Sequence, residues 1–236
     1  MSVFRFKYFD VRQEKNPLKV GTDSMLLGAL IEASGHKYAL DLGSGTGVLS
    51  LMIAQKNPII TIDAIEIHDD GSQECRENFA LSPWSDRLTV FKGDYFEFQF
   101  KGTYDLIFSN PPYHLDTLKS LDEDVSRAKH ADPFLISEFF KRVDSLLTRE
   151  GKFWIIFPFS GLNYLIKTGE EYNLFPTKIF FVHAKSSKPN KRVIICYQRN
   201  QINPVVKRDI IIRNENNQYT SEYKEITNTF HWEFMM

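Results

Sequence analysis

Short apolar runs alternate with amphipathic stretches along most of the chain, a rhythm that predicts strands separated by helices. Tyr38 to Leu42 predicts a short buried strand, and Val48 to Lys56 a helix that Asn57-Pro58 ends. Ile59 to Ile67, rich in β-branched residues, is the second strand, and His68 to Leu81 the next helix, stopped by Ser82-Pro83. Leu88 to Lys92 and Tyr104 to Ser109 are strands three and four. Pro133 to Leu147 predicts a helix with Asp132 as its N-cap and Pro133 in the first position, where a missing N–H costs nothing. Lys152 to Phe157 follows as strand five, and Gly161 to Tyr172 as a further helix. Thr177 to Ala184 and Arg192 to Gln198 are joined by a link too short for a parallel crossover, so they predict a hairpin. The pattern is that of an α/β domain whose mostly parallel sheet ends in an antiparallel pair.

The first strand runs into Asp41-Leu42-Gly43-Ser44-Gly45-Thr46-Gly47. Gly43, Gly45 and Gly47 permit a tight turn and a close backbone approach to a ligand at the sheet's carboxyl edge. The spacing is not the dinucleotide pattern G-x-G-x-x-G, and no Lys-Ser/Thr pair follows, which disfavours a P-loop. Strand two ends at Glu66-Ile67, where a carboxylate can accept both hydroxyls of a ribose. Strand three ends at Gly93-Asp94-Tyr95, which places an acid for an adenine amino group beside a ring that can pack on it. Three successive strand ends thus carry a glycine loop, an acid and an acid. This resembles the S-adenosyl-L-methionine site of class I methyltransferases. The resemblance implies their Rossmann-like fold, a mostly parallel seven-stranded sheet with a terminal antiparallel strand, and cofactor contacts from Asp41, Gly43, Gly45, Gly47, Glu66, Ile67, Asp94 and Tyr95.

Strand four ends in Asn110-Pro111-Pro112-Tyr113. Two prolines stop a sheet ladder abruptly and hold the preceding residues extended. The Asn110 side-chain amide and the Pro111 carbonyl can then point into one cavity, two acceptors for the two hydrogens of a planar NH2. An aniline-like nitrogen is a poor nucleophile because its lone pair is spread into the ring; hydrogen bonds from both N–H groups favour the pyramidal, reactive form. The motif contains no strong base, and none is needed before transfer. Tyr113 can stack on a flat substrate, and a base held in a duplex must be flipped to reach the pocket. Adenine, cytosine, guanine and the glutamine amide all present such a group, and the motif alone does not choose among them.

Further segments resemble the bacterial tRNA1(Val) (adenine(37)-N6)-methyltransferase family: Phe4 to Phe9, then Lys19-Val20-Gly21-Thr22-Asp23-Ser24-Met25-Leu26-Leu27-Gly28, then Arg127-Ala128-Lys129-His130, the stretch Lys185 to Ile195, and Gln218 to Tyr223. The similarity spans nearly the whole chain. It implies transfer to an adenosine just 3′ of the anticodon in a tRNA anticodon stem-loop, with Gly21, Thr22 and Asp23 beside the cofactor, and Asn110 facing both cofactor and acceptor. A cap of the helix running through Leu30 is the alternative role for Thr22 and Asp23. Arg127, Lys129 and His130, with Lys188, Lys191 and Arg192 flanking the hairpin tip, are the RNA-contact candidates, although solvated charge is ordinary at a tip. Lys129 stands where the family pattern expects an arginine, and His114 where it expects an aromatic ring.

Composition changes this picture little. The 236 residues suit one domain, with residues 1–37 as an N-terminal extension, 38–200 as the catalytic core and 201–236 as a tail. The net charge of −1 hides 14 acidic against 5 basic residues from Asp63 to Asp124, and 9 basic against 1 acidic from Lys178 to Arg213. That asymmetry suits a protein meeting an anionic polymer on one face. Cys75 and Cys196 have no metal-ligand spacing, so no metal is expected, and a reducing, cytoplasmic setting is. No signal-peptide core opens the chain, and no apolar stretch approaches the roughly 20 residues a bilayer needs. A monomer is expected. The rival readings are a ribosomal RNA guanine-N2 methyltransferase, a protein-glutamine methyltransferase and a non-catalytic RNA-binding protein of the same fold. The second resembles a longer chain with a separate N-terminal domain, whereas 37 residues precede strand one here.

Overall fold

A computed structural model of the chain describes residues 2–15, 19–111 and 133–231. A two-stranded hairpin, β1 (Val3–Arg5) and β2 (Asp10–Arg12), and a helix, α1 (Thr22–Leu30), precede the main sheet. The sheet starts with β3 (Tyr38–Leu42), α2 (Val48–Lys56), β4 (Thr61–Glu66), α3 (Asp69–Leu81), β5 (Leu88–Lys92) and β6 (Tyr104–Ser109). After α4 (Pro133–Leu146) come β7 (Leu147–Pro158), α5 (Leu162–Glu171), β8 (Phe175–His183), β9 (Arg192–Gln198), β10 (Val206–Ile211) and α6 (Ser221–Thr227).

The strands lie in the order β10-β8-β9-β7-β6-β3-β4-β5. Alternation sorts their side chains into two cores, because successive residues of a strand point to opposite faces. Ala39, Leu106, Phe108, Trp154 and Ile156 join α1, α2 and α3, while Leu40, Ile107, Phe153, Ile155 and Phe157 meet α4 and α5. In α4, Ile136, Phe139, Phe140 and Val143 recur at helical spacing and are all buried. Val48 through Ala54 of α2 are buried on every side, since α1 covers the flank that the sheet does not. The two helices are so close that a Cβ on Gly28 would lie 2.5 Å from Met52 Sδ. Lys56, whose burial pulls its pKa down to about 8, donates to the carbonyls of Gly28 (3.2 Å), Ala29 (2.7 Å) and Ile31 and so satisfies the end of α1.

β3 pairs in parallel with both β4 and β6; α2 and α3, after β3 and β4, lie on one face of the sheet, and α4, the helix after β6, lies on the other. The carboxyl end of β3 is therefore a topological switch point, where a ligand cleft is expected in such sheets.

Two expectations need correction. The main sheet has eight strands rather than seven, because β10 adds in parallel to β8 inside the segment expected to be a tail. Its sequence, Val206-Lys207-Arg208-Asp209-Ile210-Ile211, is charged at the positions a strand signal needs, and only Ile210 is buried; charge of this kind suits a sheet edge. The reversed strand is β9, but it is not at the border of the sheet: it is inserted between β7 and β8 and antiparallel to both. Among the described residues no helix is long and apolar enough to cross a membrane.

Candidate functional site

The chain leaves β3 through Gly43, Gly45 and Gly47, whose φ angles of 75°, 55° and 78° lie in the region that favours glycine. The N–H groups of Gly43 and Ser44 both donate to the Ile65 carbonyl at 3.0 Å, which staples the loop to the end of β4. At Gly47 the crowding is also spatial, since a Cβ would lie 2.6 Å from Phe79 and 2.7 Å from Cys75 of α3. Glu66 is buried between the two strand ends: one carboxylate oxygen accepts from Gly45 N and the other from His68 N, each at 2.9 Å. Ile67 beside it is 52% exposed, an apolar surface at the strand edge.

Asp41 lies beneath this loop rather than in front of it. It is fully buried, accepts from Ser50 Oγ at 2.7 Å, and its second oxygen has no partner among the described residues. Burial pushes its pKa up to about 7, with the Glu66 charge adding to the effect and Ser50 opposing it. Asp41, expected as a cofactor contact, faces Ser50 of α2 and lies under the loop.

At the end of β5, Asp94 folds the backbone into a turn, its carboxylate accepting from Phe96 N at 2.9 Å and its carbonyl from Phe98 N at 2.8 Å. Tyr95 packs edge-on against Phe139 of α4, and burial pushes its phenol well above the ordinary range. Arg142 of α4 holds the same turn, donating to the Tyr95 carbonyl at 2.7 Å and to that of Phe98. No spacing in the sequence marks Arg142 for that task.

A cavity of about 380 Å³ opens at the switch point. Its walls are Gly21 to Ser24 at the start of α1, Gly43 to Thr46 of the loop, the first turn of α2, Asn110 and Pro111 after β6, and Arg192 at the start of β9. Glu66, Ile67, Asp94 and Tyr95 stand at the ends of β4 and β5, outside that lining. Ser109 anchors the strand end by donating to the Leu42 carbonyl at 2.7 Å. Asn110 follows half-buried, with Nδ2 donating to Ser24 Oγ at 3.1 Å, a partner the sequence does not suggest. No side chain caps α1, whose N-cap is Gly21. The capping alternative for Thr22 and Asp23 is thus not adopted: Thr22 lines the cavity, and Asp23 forms an ion pair with Arg192 at 3.0 Å.

Arg192 is expected beside Lys188 and Lys191 as an RNA contact, but the structure separates the three. Lys188 and Lys191 are exposed on the β8–β9 connection, while Arg192 turns into the cavity. Pro112, Tyr113, Arg127, Lys129 and His130 lie outside the described residues. Among the described residues no group of three or more His, Cys, Asp or Glu side chains could hold a metal ion.

Comparison with known proteins places the chain among relatives. Residues 16–164 match the family described as the methyltransferase small domain. A tRNA1(Val) (adenine(37)-N6)-methyltransferase of Bacteroides thetaiotaomicron is 37% identical over 229 residues, covering 97% of this chain and 96% of the relative. One of the same name from Flavobacterium johnsoniae is 34% identical, covering 97% and 99%. The crystal structure of a predicted O-methyltransferase from Agrobacterium tumefaciens superposes with a TM-score of 0.67 at 15% identity, covering 88% of this chain and 96% of that one, a likeness of fold.

Proposed function

The chain belongs to the methyltransferase small-domain family, among the tRNA1(Val) (adenine(37)-N6)-methyltransferases, and from that membership and the geometry of the cavity we propose that it methylates N6 of an adenosine in tRNA, with S-adenosylmethionine as donor. The adenosine just 3′ of the anticodon is the finer reading, and the names of the relatives support it. The observation that carries the chemistry is Asn110: it lines the same cavity as the glycine loop, with the donor end of its amide already engaged by Ser24. The acceptor end, Oδ1, is thereby left for a substrate N–H.

The residues present fit the cofactor. The loop brings the backbone of Gly43 to Thr46 to the cavity wall, held there by the positive φ angles of Gly43 and Gly45. Glu66 is an acceptor at the end of β4, fixed by two backbone N–H groups and left with lone pairs for ribose hydroxyls. Ile67 supplies an exposed apolar face for a purine, and Asp94 an acid at the neighbouring strand end. When bound, the cofactor supplies an electrophilic methyl group.

The protein's part is to bind and orient. Asn110 Oδ1 and the Pro111 carbonyl accept the two N6 hydrogens, concentrate the lone pair on nitrogen and aim it. This is positioning and charge stabilisation, so no side chain of the motif takes a proton before transfer. In this reading Lys188 and Lys191, exposed on the β8–β9 connection, meet phosphates of the stem-loop.

The test supplies labelled S-adenosylmethionine with separate pools of unmodified tRNA, ribosomal RNA and release factor. Label should appear in tRNA and digest to N6-methyladenosine; label in ribosomal RNA or protein alone would overturn the reading. Asn110→Ala should lower kcat by about 100-fold or more, as loss of a transition-state hydrogen-bond partner does, while cofactor affinity survives.

A further inference from the structure

An amide is two-ended, and only one end suits this reaction. Turned the wrong way, Asn110 would oppose its own NH2 to the NH2 of the substrate, donor against donor. We infer that Ser24 is the positioning residue that holds the Asn110 amide with its oxygen toward the acceptor nitrogen. The inference rests on the reading of Asn110 given above and goes one residue beyond the Asn-Pro-Pro-Tyr motif.

Three observations carry it. Ser24 Oγ lies 3.1 Å from Asn110 Nδ2, with Asn110 half-buried and Ser24 only 8% exposed, so little water competes for the contact. Among the described residues the Ser24 hydroxyl has no hydrogen-bond partner besides the Asn110 amide, so it is not consumed by the helix start. The helix that carries Ser24 is itself fixed. Lys56 engages the carbonyls at its far end, Gly28 seats it against Met52, and Asp23 ties its first turn to Arg192 of β9. A hydroxyl on a rigid element can hold an amide; one on a loop would follow it.

The hydroxyl can donate as well as accept, so Ser24 alone does not select the orientation. The selection is joint. When the substrate's N–H groups claim Oδ1, Nδ2 is satisfied only because Ser24 accepts from it. Replacing Ser24 with alanine leaves that Nδ2 without its partner in the productive orientation, and the cost falls on the bound, reacting state.

Ser24→Ala is therefore expected to lower kcat by about 3- to 10-fold, one neutral hydrogen bond's worth, with cofactor affinity and the KM for tRNA unchanged within about twofold. Ser24→Thr, which keeps the hydroxyl, should recover most of the rate. In the Asn110→Ala background, Ser24→Ala should cost nothing further, because there is no amide left to hold. Thermal unfolding of each variant monitors the fold. Unchanged kcat in Ser24→Ala, a loss that multiplies with that of Asn110→Ala, or a threonine variant with native Tm and no recovery would each overturn the assignment. A fall in cofactor affinity matching the fall in rate would also overturn it, by making Ser24 part of the cofactor wall. Full activity in Asn110→Ala would instead refute the reading beneath it.

Discussion

Asp41→Asn tests whether the carboxylate under the glycine loop is a buried support. Asp41 has an ordinary pKa of 3.8 when unfolded and about 7 when folded, raised chiefly by burial. The folded state therefore binds the proton more tightly, and its stabilising contribution is complete below pH 3.8. It is lost progressively as pH rises through the folded pKa near 7 and does not change further above it. A difference of about 3 units at 1.36 kcal/mol each makes the ionised carboxylate roughly 4 kcal/mol more costly to fold than the protonated one.

Asparagine keeps the shape and can still accept from Ser50 Oγ, but it puts an NH2 where the second oxygen has no partner among the described residues. That group costs about 1–3 kcal/mol to bury. The variant should therefore be less stable than the parent near pH 4 and more stable, by roughly 1–3 kcal/mol, at pH 8. Urea unfolding of both proteins at pH 4.5, 6 and 8 measures the difference, and their m-values should agree. A difference that stays flat with pH would refute the reasoning, since no other group changes between the two chains. Cofactor affinity at pH 8 should move less than about threefold, under the 1.4 kcal/mol of a tenfold change. A larger loss would return Asp41 to the cofactor's contacts.

Three further outcomes follow from the same geometry. Gly47→Ala combines a left-handed backbone costing about 1–2 kcal/mol with a Cβ driven against Phe79 and Cys75; urea unfolding should show a loss of roughly 2–5 kcal/mol, and a loss below about 1 kcal/mol would mean that the loop and α3 yield. Arg142→Lys replaces a fork that spans the carbonyls of Tyr95 and Phe98 with a single point donor. It should raise the cofactor's Kd by about 3- to 10-fold, an interaction of one hydrogen bond's size, with kcat retained; unchanged affinity would separate the turn at Asp94 from the cofactor. Lys188→Ala with Lys191→Ala should flatten the salt dependence of tRNA binding by about 0.7–0.9 in slope for each phosphate no longer neutralised, and an unaltered slope would show both to be solvated charge.

What the sequence disclosed, and what it withheld, divides along sequence separation. The strands β3 to β6 could be read because the apolar residues of each sit together in a short run. Gly43, Gly45, Gly47, Glu66 and Asn110 could be read because each terminates or follows such a strand. The hairpin of β1 and β2 could not, because its support comes from segments distant in the chain: Lys7 N bonds the Phe230 carbonyl, and Phe9 packs on Trp84. β10 was hidden because an edge strand need bury almost nothing. The contacts that orient the site were hidden for a third reason. Ser24 and Asn110 are separated by 86 positions, and Asp23 and Arg192 by 169. Arg192 makes the point most clearly. Read beside Lys188 and Lys191, it looks like one more charge on a hairpin tip. Because β9 runs backward between β7 and β8, its first residue arrives at the carboxyl edge of the parallel strands. It is there, and not at the tip, that Asp23 meets it. A motif states which chemical groups a site contains; which group holds which is decided by strand order and direction.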